Sequence, residues 1–214
     1  MSQKESFYYQ IEFLSKYYKT VAFDFAGFGK SQTPKTAYSV GDYADWVIKL
    51  GNLLQIKKPH IVAHSFGARV AIKLLGEKNY SANKLVITGG AGIVKPRSLR
   101  YIRRVNAYKR IKKLFPRFAE KHFGSEEYKK LCPIMRKSYV KIVNEDLTLI
   151  AKNIAVPTLL IYGENDFTTP YLEEGVTFNK LIKNSKLFKM QGGHFCFCER
   201  YNIFNNHIYD FLKE

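Results

Sequence analysis

Apolar positions along the chain alternate between two spacings, and that alternation predicts the fold class. Phe7, Ile11, Leu14 and Tyr18 fall three or four apart and predict an amphipathic first helix. The run TVAFDF, Thr20 to Phe25, reads as a strand, and AGFGKSQTP after it as a glycine-rich turn. Ser39 and Asp42 have capping-box spacing ahead of a helix with Tyr43, Val47, Leu50 and Leu54 on one stripe. Ile61, Val62 and Ala63 form a short apolar run suited to a buried strand. Val70, Ala71, Leu74 and Leu75 then return to helical spacing, with Gly76 placed to cap that helix. KLVITGG (Lys84 to Gly90) and VPTLLIYG (Val156 to Gly163) predict two more strands. A helix around Tyr171 to Ile182, the strand SKLFKM and a last helix with Ile203, Phe204, Ile208 and Phe211 follow. Strands alternating with helices predict an α/β fold, with a mostly parallel sheet covered on both faces.

From Lys95 to about Asn144 the alternation stops and only helical pattern remains. Tyr101, Val105, Tyr108, Phe115 and Phe118 fall near one helical face, which predicts an aromatic stripe that either lines an apolar pocket at the sheet's rim or docks the segment on the core, with the Lys and Arg side chains outside. Between Lys95 and Lys121 there are eleven Lys or Arg and one acid, Glu120. The segment reads as a helical insertion lying over the sheet.

Composition changes the picture in two places. The net charge of +17 leaves two readings open: a lysine-rich solvated surface, or attraction of an anionic partner. No nucleic-acid motif accompanies the charge. Three cysteines, an odd count, give no disulfide framework and point to a reducing, cytoplasmic setting. No apolar run approaches the roughly 20 residues that span a bilayer, so stable membrane insertion is not expected. The N-terminal stretch MSQKESFYYQ lacks the apolar core of a signal peptide. At 214 residues the chain suits one domain with an inserted subdomain.

Candidate chemistry narrows by elimination. GFGKS resembles a phosphate loop, but Asp24 stands where a Walker motif needs glycine, and Gln32 where a dinucleotide fingerprint needs its third. Cys196 and Cys198 lie close to His194 without a fourth ligand at a recognisable spacing, so no metal or cofactor is expected. Two apart on an extended segment, the cysteines are expected to pack on one face. Acyl-transfer chemistry remains, in which a serine needs a base to take its proton and a carboxylate to orient that base. Ser65 sits on the sharp turn between a strand and a helix, with Ala63 two before it and Gly67 two after. On this stretch alone a structural serine and a nucleophile both remain open. Among the histidines, His60 and His64 flank the buried strand, and His64 should point away from the Ser65 hydroxyl. His122 and His207 suit surface or packing roles. His194, in QGGHF, and Asp166, in YGENDFTTP, each follow a strand, as Ser65 does. In a parallel sheet that places all three at one rim.

The chain resembles the α/β-hydrolase fold family, specifically its small serine esterases and carbon–carbon bond hydrolases. DFAGFGKS, AHSFGA at the nucleophile elbow, VPTLLIYGENDFTTP and GGHF match it in the family's order of serine, acid and histidine. The resemblance implies a catalytic triad of Ser65, Asp166 and His194, with the Phe66 N–H as one oxyanion donor. It implies a core of residues 1–94 and 145–214 and a helical cap at 95–144. It implies hydrolysis of a small carboxylic ester through an acyl-enzyme, without cofactor or metal. The partner would be a small-molecule ester or carboxylate-bearing substrate, not a nucleic acid. Two alternatives stand beside it: carbon–carbon bond hydrolysis of a keto acid, and a non-catalytic hydrolase-like binding protein.

The match departs from the family at its front end. Family members open with two or three strands and a His-Gly loop that supplies a second oxyanion donor, whereas here the first helix starts at about Phe7. One missing strand would lie between TVAFDF and HIVAHS. The expectation is therefore an N-terminally incomplete core with weakened turnover, arising from a fragment or an internal start, or else a sheet closed up differently.

Overall fold

The computed structural model describes residues 3–115, 118 and 126–214. Four strands form one parallel sheet in the order β1 (His60–His64), β2 (Lys84–Thr88), β3 (Thr158–Gly163) and β4 (Ser185–Met190). Val62 pairs with Val86, Ile87 with Leu160 and Leu160 with Leu187. Successive strand residues point to opposite faces, so the near-continuous apolar runs of β2 and β3 supply two cores at once. Leu85, Ile87, Leu160 and Tyr162 pack with Ala68, Ile72 and Leu75 and with Phe178. Val86, Leu159 and Ile161 instead meet Leu14 and the Phe204, Ile208 and Phe211 stripe of the Tyr201–Lys213 helix. All six residues of β3 are buried, as a strand covered on both sides requires.

Helix α1 (Tyr8–Leu14) follows a 3-10 turn at Lys4–Phe7. Helix α2 (Val40–Leu53) starts with the expected capping box: the Ser39 hydroxyl accepts from the Asp42 N–H and the Asp42 carboxylate accepts from the Ser39 N–H at 2.7 Å. It packs through Val40, Tyr43 and Ala44 onto Val70 and Leu74 of α3 (Phe66–Gly76). Leu54 lies beyond α2 and is exposed, so the stripe ends a turn earlier than its spacing predicts.

Thr20–Phe25 is not a strand. Among the described residues β1 ends the sheet on that side, and the segment joins no ladder. The β-prone sequence lacks the partner that would satisfy its backbone, so side chains hold it instead. Phe23 and Phe25 pack on Trp46, with ring centroids 5.3 and 6.1 Å away, and Phe25 meets the Phe66 ring at 5.3 Å. Asp24 fixes the following turn, accepting from the Lys4 N–H at 2.7 Å and the Lys30 N–H at 3.1 Å. A Cβ on Gly29, where φ is +49°, would come within 2.3 Å of that carboxylate. Glycine is required there.

Burial raises the Asp24 pKa, but the two N–H donors outweigh it and hold the carboxyl below its ordinary 3.8. A depressed folded-state pKa contributes stability above the unfolded value that is lost as pH falls through the folded one. Asp24→Ala is therefore expected to cost about 2 kcal/mol at pH 7, from the loss of hydrogen bonds to a charged group. The deficit should shrink below about pH 4. Urea unfolding of both proteins at pH 7 and pH 3.5 checks both statements.

Between β2 and β3 the described chain is helical: α4 (Leu99–Leu114), Glu126–Lys130, Pro133–Asn144 and Thr148–Ala151. Buried Arg69 ties this segment's return to α3, donating to the carbonyls of Ile142 at 3.0 Å and Glu145 at 2.9 Å. The Val94 N–H meets Asp146 at 2.8 Å. The expected aromatic stripe does not form one buried face. Val105 and Tyr108 are half-buried, but Phe115 lies past the end of α4 and is exposed, as is Phe118. Seven of the sixteen α4 residues are Lys or Arg and none is acidic, so hydration of the cations keeps the helix in water. The side chain of Tyr101 and all of His122 lie outside the described residues. No helix among the described residues is long and apolar enough to cross a membrane.

Candidate active site

Ser65 follows β1 directly and stands at the N-cap of α3 with φ 51° and ψ −109°. A left-handed backbone at a residue with a Cβ is strained, on the order of 1–3 kcal/mol, and the surrounding structure must enforce it. Here β1 and α3 do so. The Ser65 N–H donates to the Thr88 carbonyl at 3.2 Å while its own carbonyl accepts from Ala68, so the chain turns from strand to helix within one residue. A Cβ built on Gly67 would lie 3.8 Å from that of Ala63, an ordinary contact. Alanine in place of glycine at position 63 therefore fits. Phe66 opens α3, where the first N–H groups have no intrahelical acceptor.

Asp166 and His194 are brought into direct contact. Asp166 follows β3 and His194 follows β4, and Nδ1 of His194 lies 2.7 Å from Oδ2 of Asp166. The carboxylate is buried and fully engaged. Its Oδ1 accepts from the N–H groups of Thr168 at 2.8 Å and Thr169 at 2.9 Å, and its Oδ2 accepts from the Thr169 hydroxyl at 2.7 Å. Burial raises the Asp166 pKa, but His194 and the Thr169 donors overcome it and hold the carboxyl below its ordinary range. An ionised carboxylate only accepts, so Nδ1 of neutral His194 carries the proton and Nε2 is left as a base. Gly89, at the end of β2 with φ +49°, leaves room for the pair: a Cβ there would lie 3.2 Å from His194 Nδ1.

Ser65, Asp166 and His194 thus follow the carboxyl ends of β1, β3 and β4, three strands of one parallel sheet. That is one rim. The threonines of DFTTP were missed from sequence, although an aspartate two and three residues before backbone donors is a turn signal. Also missed was buried Glu174, on the turn Tyr171–Gly175, which accepts from the Ile93 N–H at 3.3 Å. Burial pushes its carboxyl up to about 7.

The two cysteines both pack against the core that holds Phe197 and Phe204, as expected, although their segment is helical and not extended. Cys196–Glu199 is a short helix, and it sends the side chains to different neighbours. Cys196 is buried beside Thr88, with Sγ 3.8 Å from Oγ1, and Cys198 donates to the Ser6 carbonyl at 3.0 Å. Burial pushes the Cys196 thiol up to about 11, so it stays protonated and inert at neutral pH.

Comparison with known proteins identifies the fold. Over its whole length the chain is 27% identical to the uncharacterized hydrolase YugF of Bacillus subtilis, covering 87% of that protein. An esterase from Exiguobacterium antarcticum superposes with a TM-score of 0.77 at 21% identity, over all of this chain and 88% of the other. A meta-cleavage product hydrolase from Pseudomonas fluorescens superposes with a TM-score of 0.75 at 24% identity, over all of this chain and 86% of the other. At those identities the two structures speak for the fold alone. The model of the alpha/beta hydrolase fold matches residues 3–153, well over half the sequence, and the chain belongs to that family.

Proposed function

We propose that this chain is a serine hydrolase that cleaves a small carboxylic ester through an acyl-enzyme. The observation that carries the proposal is the contact of half-buried His194 with buried Asp166 on the rim where Ser65 is held in a strained elbow. Ser65 Oγ attacks the ester carbonyl as Nε2 of His194 takes its proton, and the Phe66 N–H faces the developing oxyanion. The intermediate collapses, the alkoxide leaves with the proton from His194, and the acyl group stays on Ser65. Water then attacks that ester with His194 again as base, releasing the acid and restoring Ser65. Asp166 holds the imidazole in the useful tautomer throughout. In this reading segment 95–144 acts as a cap over the rim.

One observation favours a second reaction on the same residues. The cations of α4 would draw in a carboxylate, which suits hydrolysis of a carbon–carbon bond in a keto acid. A fluorophosphonate probe, which needs an activated serine, tests the common chemistry. Covalent labelling mapped by mass spectrometry to Ser65 is the expected result. Failure to label the folded protein would leave a non-catalytic binding protein as the better description. Relative kcat/KM on p-nitrophenyl acetate and on a vinylogous keto acid then separates the two reactions.

A further inference from the structure

His64 takes no part in the chemistry just described, yet it is 5% exposed and adjacent to Ser65. Its side chain turns away from the elbow and toward the loop that carries the base. Nε2 lies 3.0 Å from the carbonyl oxygen of His194, and a carbonyl only accepts, so His64 is the donor. Nδ1 is buried without a hydrogen-bond partner among the described residues. The ring is wedged among Phe195 and Phe197, with centroids 5.1 and 4.7 Å away, and the His194 ring itself at 4.6 Å. Burial, reinforced by His194, pushes the His64 pKa down to about 4, so at neutral pH it stays uncharged. A neutral ring with one orphaned nitrogen and one donated proton is a fixed hydrogen-bond donor, not an acid or base.

The loop it grips needs gripping. His194 follows Gly192, at φ 125°, and Gly193, the pair of residues that restrict the backbone least. The Gly193 N–H is held by Glu199 at 2.8 Å, and the imidazole by Asp166. Backbone bonds also anchor the loop, from the Asn165 N–H to the Gly192 carbonyl at 3.0 Å and from the Cys196 N–H to the Gly193 carbonyl at 3.1 Å, but none of these contacts reaches the His194 carbonyl. The His64 bond does.

We propose that His64 is a positioning residue for the base: its Nε2–H clamps the His194 carbonyl and so holds the imidazole against Asp166. This rests on the triad reading above, and the test separates the two. His64→Phe fills the same apolar slot without a donor, His64→Leu does so in less volume, and His64→Gln restores a donor at about the Nε2 position. Residues that orient a functional imidazole through a hydrogen bond are typically worth about 10- to 100-fold. Fluorophosphonate labelling and p-nitrophenyl acetate turnover should fall by about that factor in His64→Phe and His64→Leu, in kcat more than in KM. His64→Gln should recover most of it. The downfield Nδ1–H proton resonance of His194, assigned by its loss in Asp166→Asn, should broaden in the donorless variants and sharpen again in His64→Gln. Wild-type rates with an unchanged resonance in either donorless variant would overturn the proposal. So would equal losses in all three variants, which mark a purely structural side chain. A wild-type protein that resists the probe while its resonance still responds to position 64 would retain the clamp and refute the hydrolase reading.

Discussion

Replacing Ser65 by alanine is expected to abolish covalent capture of a fluorophosphonate and to lower ester turnover by a factor on the order of 10⁴ or more. That corresponds to about 5.5 kcal/mol or more of lost transition-state stabilisation. In the proposed mechanism the oxygen removed is the attacking atom, so no other residue on the rim would substitute without a change of mechanism. Stability should move by less than about 0.5 kcal/mol, because alanine keeps the Cβ that makes the left-handed backbone costly. Intact mass after probe treatment, initial rates and a melting curve on the same preparation check both parts. A variant that retains more than a few per cent of activity would remove Ser65 from the mechanism.

The second large effect belongs to Asp166→Asn, and its cause lies in the hydrogen-bond directions around the acid. The Thr168 and Thr169 N–H groups both donate to Oδ1, so the asparagine oxygen must remain on that side. The amide nitrogen then faces His194 Nδ1, where it can only donate. Neutral His194 must accept at Nδ1 and carry its proton on Nε2, the nitrogen that should receive one from Ser65. Turnover is expected to fall on the order of 10⁴-fold at neutral pH, with binding of an uncharged ester little changed. Partial recovery at high pH, where hydroxide or serine alkoxide bypasses the base, would support a tautomer effect over a misfolded site. Steady-state rates from pH 6 to pH 10 show which holds.

The sequence was most legible where a segment's structure depends on its own residues. β1, β2 and β3 announce themselves as apolar runs, and the α2 capping box is complete within Ser39 to Asp42. The site was legible as order: Ser65, Asp166 and His194 each follow a strand, and parallel strands bring their carboxyl ends together. Failures came where partners decide. TVAFDF has strand composition but no ladder beside it, so Phe23 and Phe25 settle on Trp46 instead. Cys196 and Cys198 were read on an extended segment, and a four-residue helix stands there, although both still pack on one core. The stripe beginning at Tyr101 was read as turned inward although cations crowd every turn of the same helix. The grip of His64 on the His194 carbonyl joins residues 130 apart in sequence, and no local pattern encodes it.

The sheet order has a consequence for how activity can be lost. Among the described residues the proposed nucleophile Ser65 follows β1 at one margin of the sheet and the proposed base His194 follows β4 at the other, with Asp166 after the enclosed strand β3. No single strand with its following loop, and no pair of neighbouring strands, carries all three proposed residues. A proteolytic fragment, a half-assembled intermediate or a form frayed at either margin would keep its secondary structure and lose turnover entirely. Under the proposed mechanism ester turnover would therefore be an all-or-none gauge of the complete sheet, more exacting than circular dichroism.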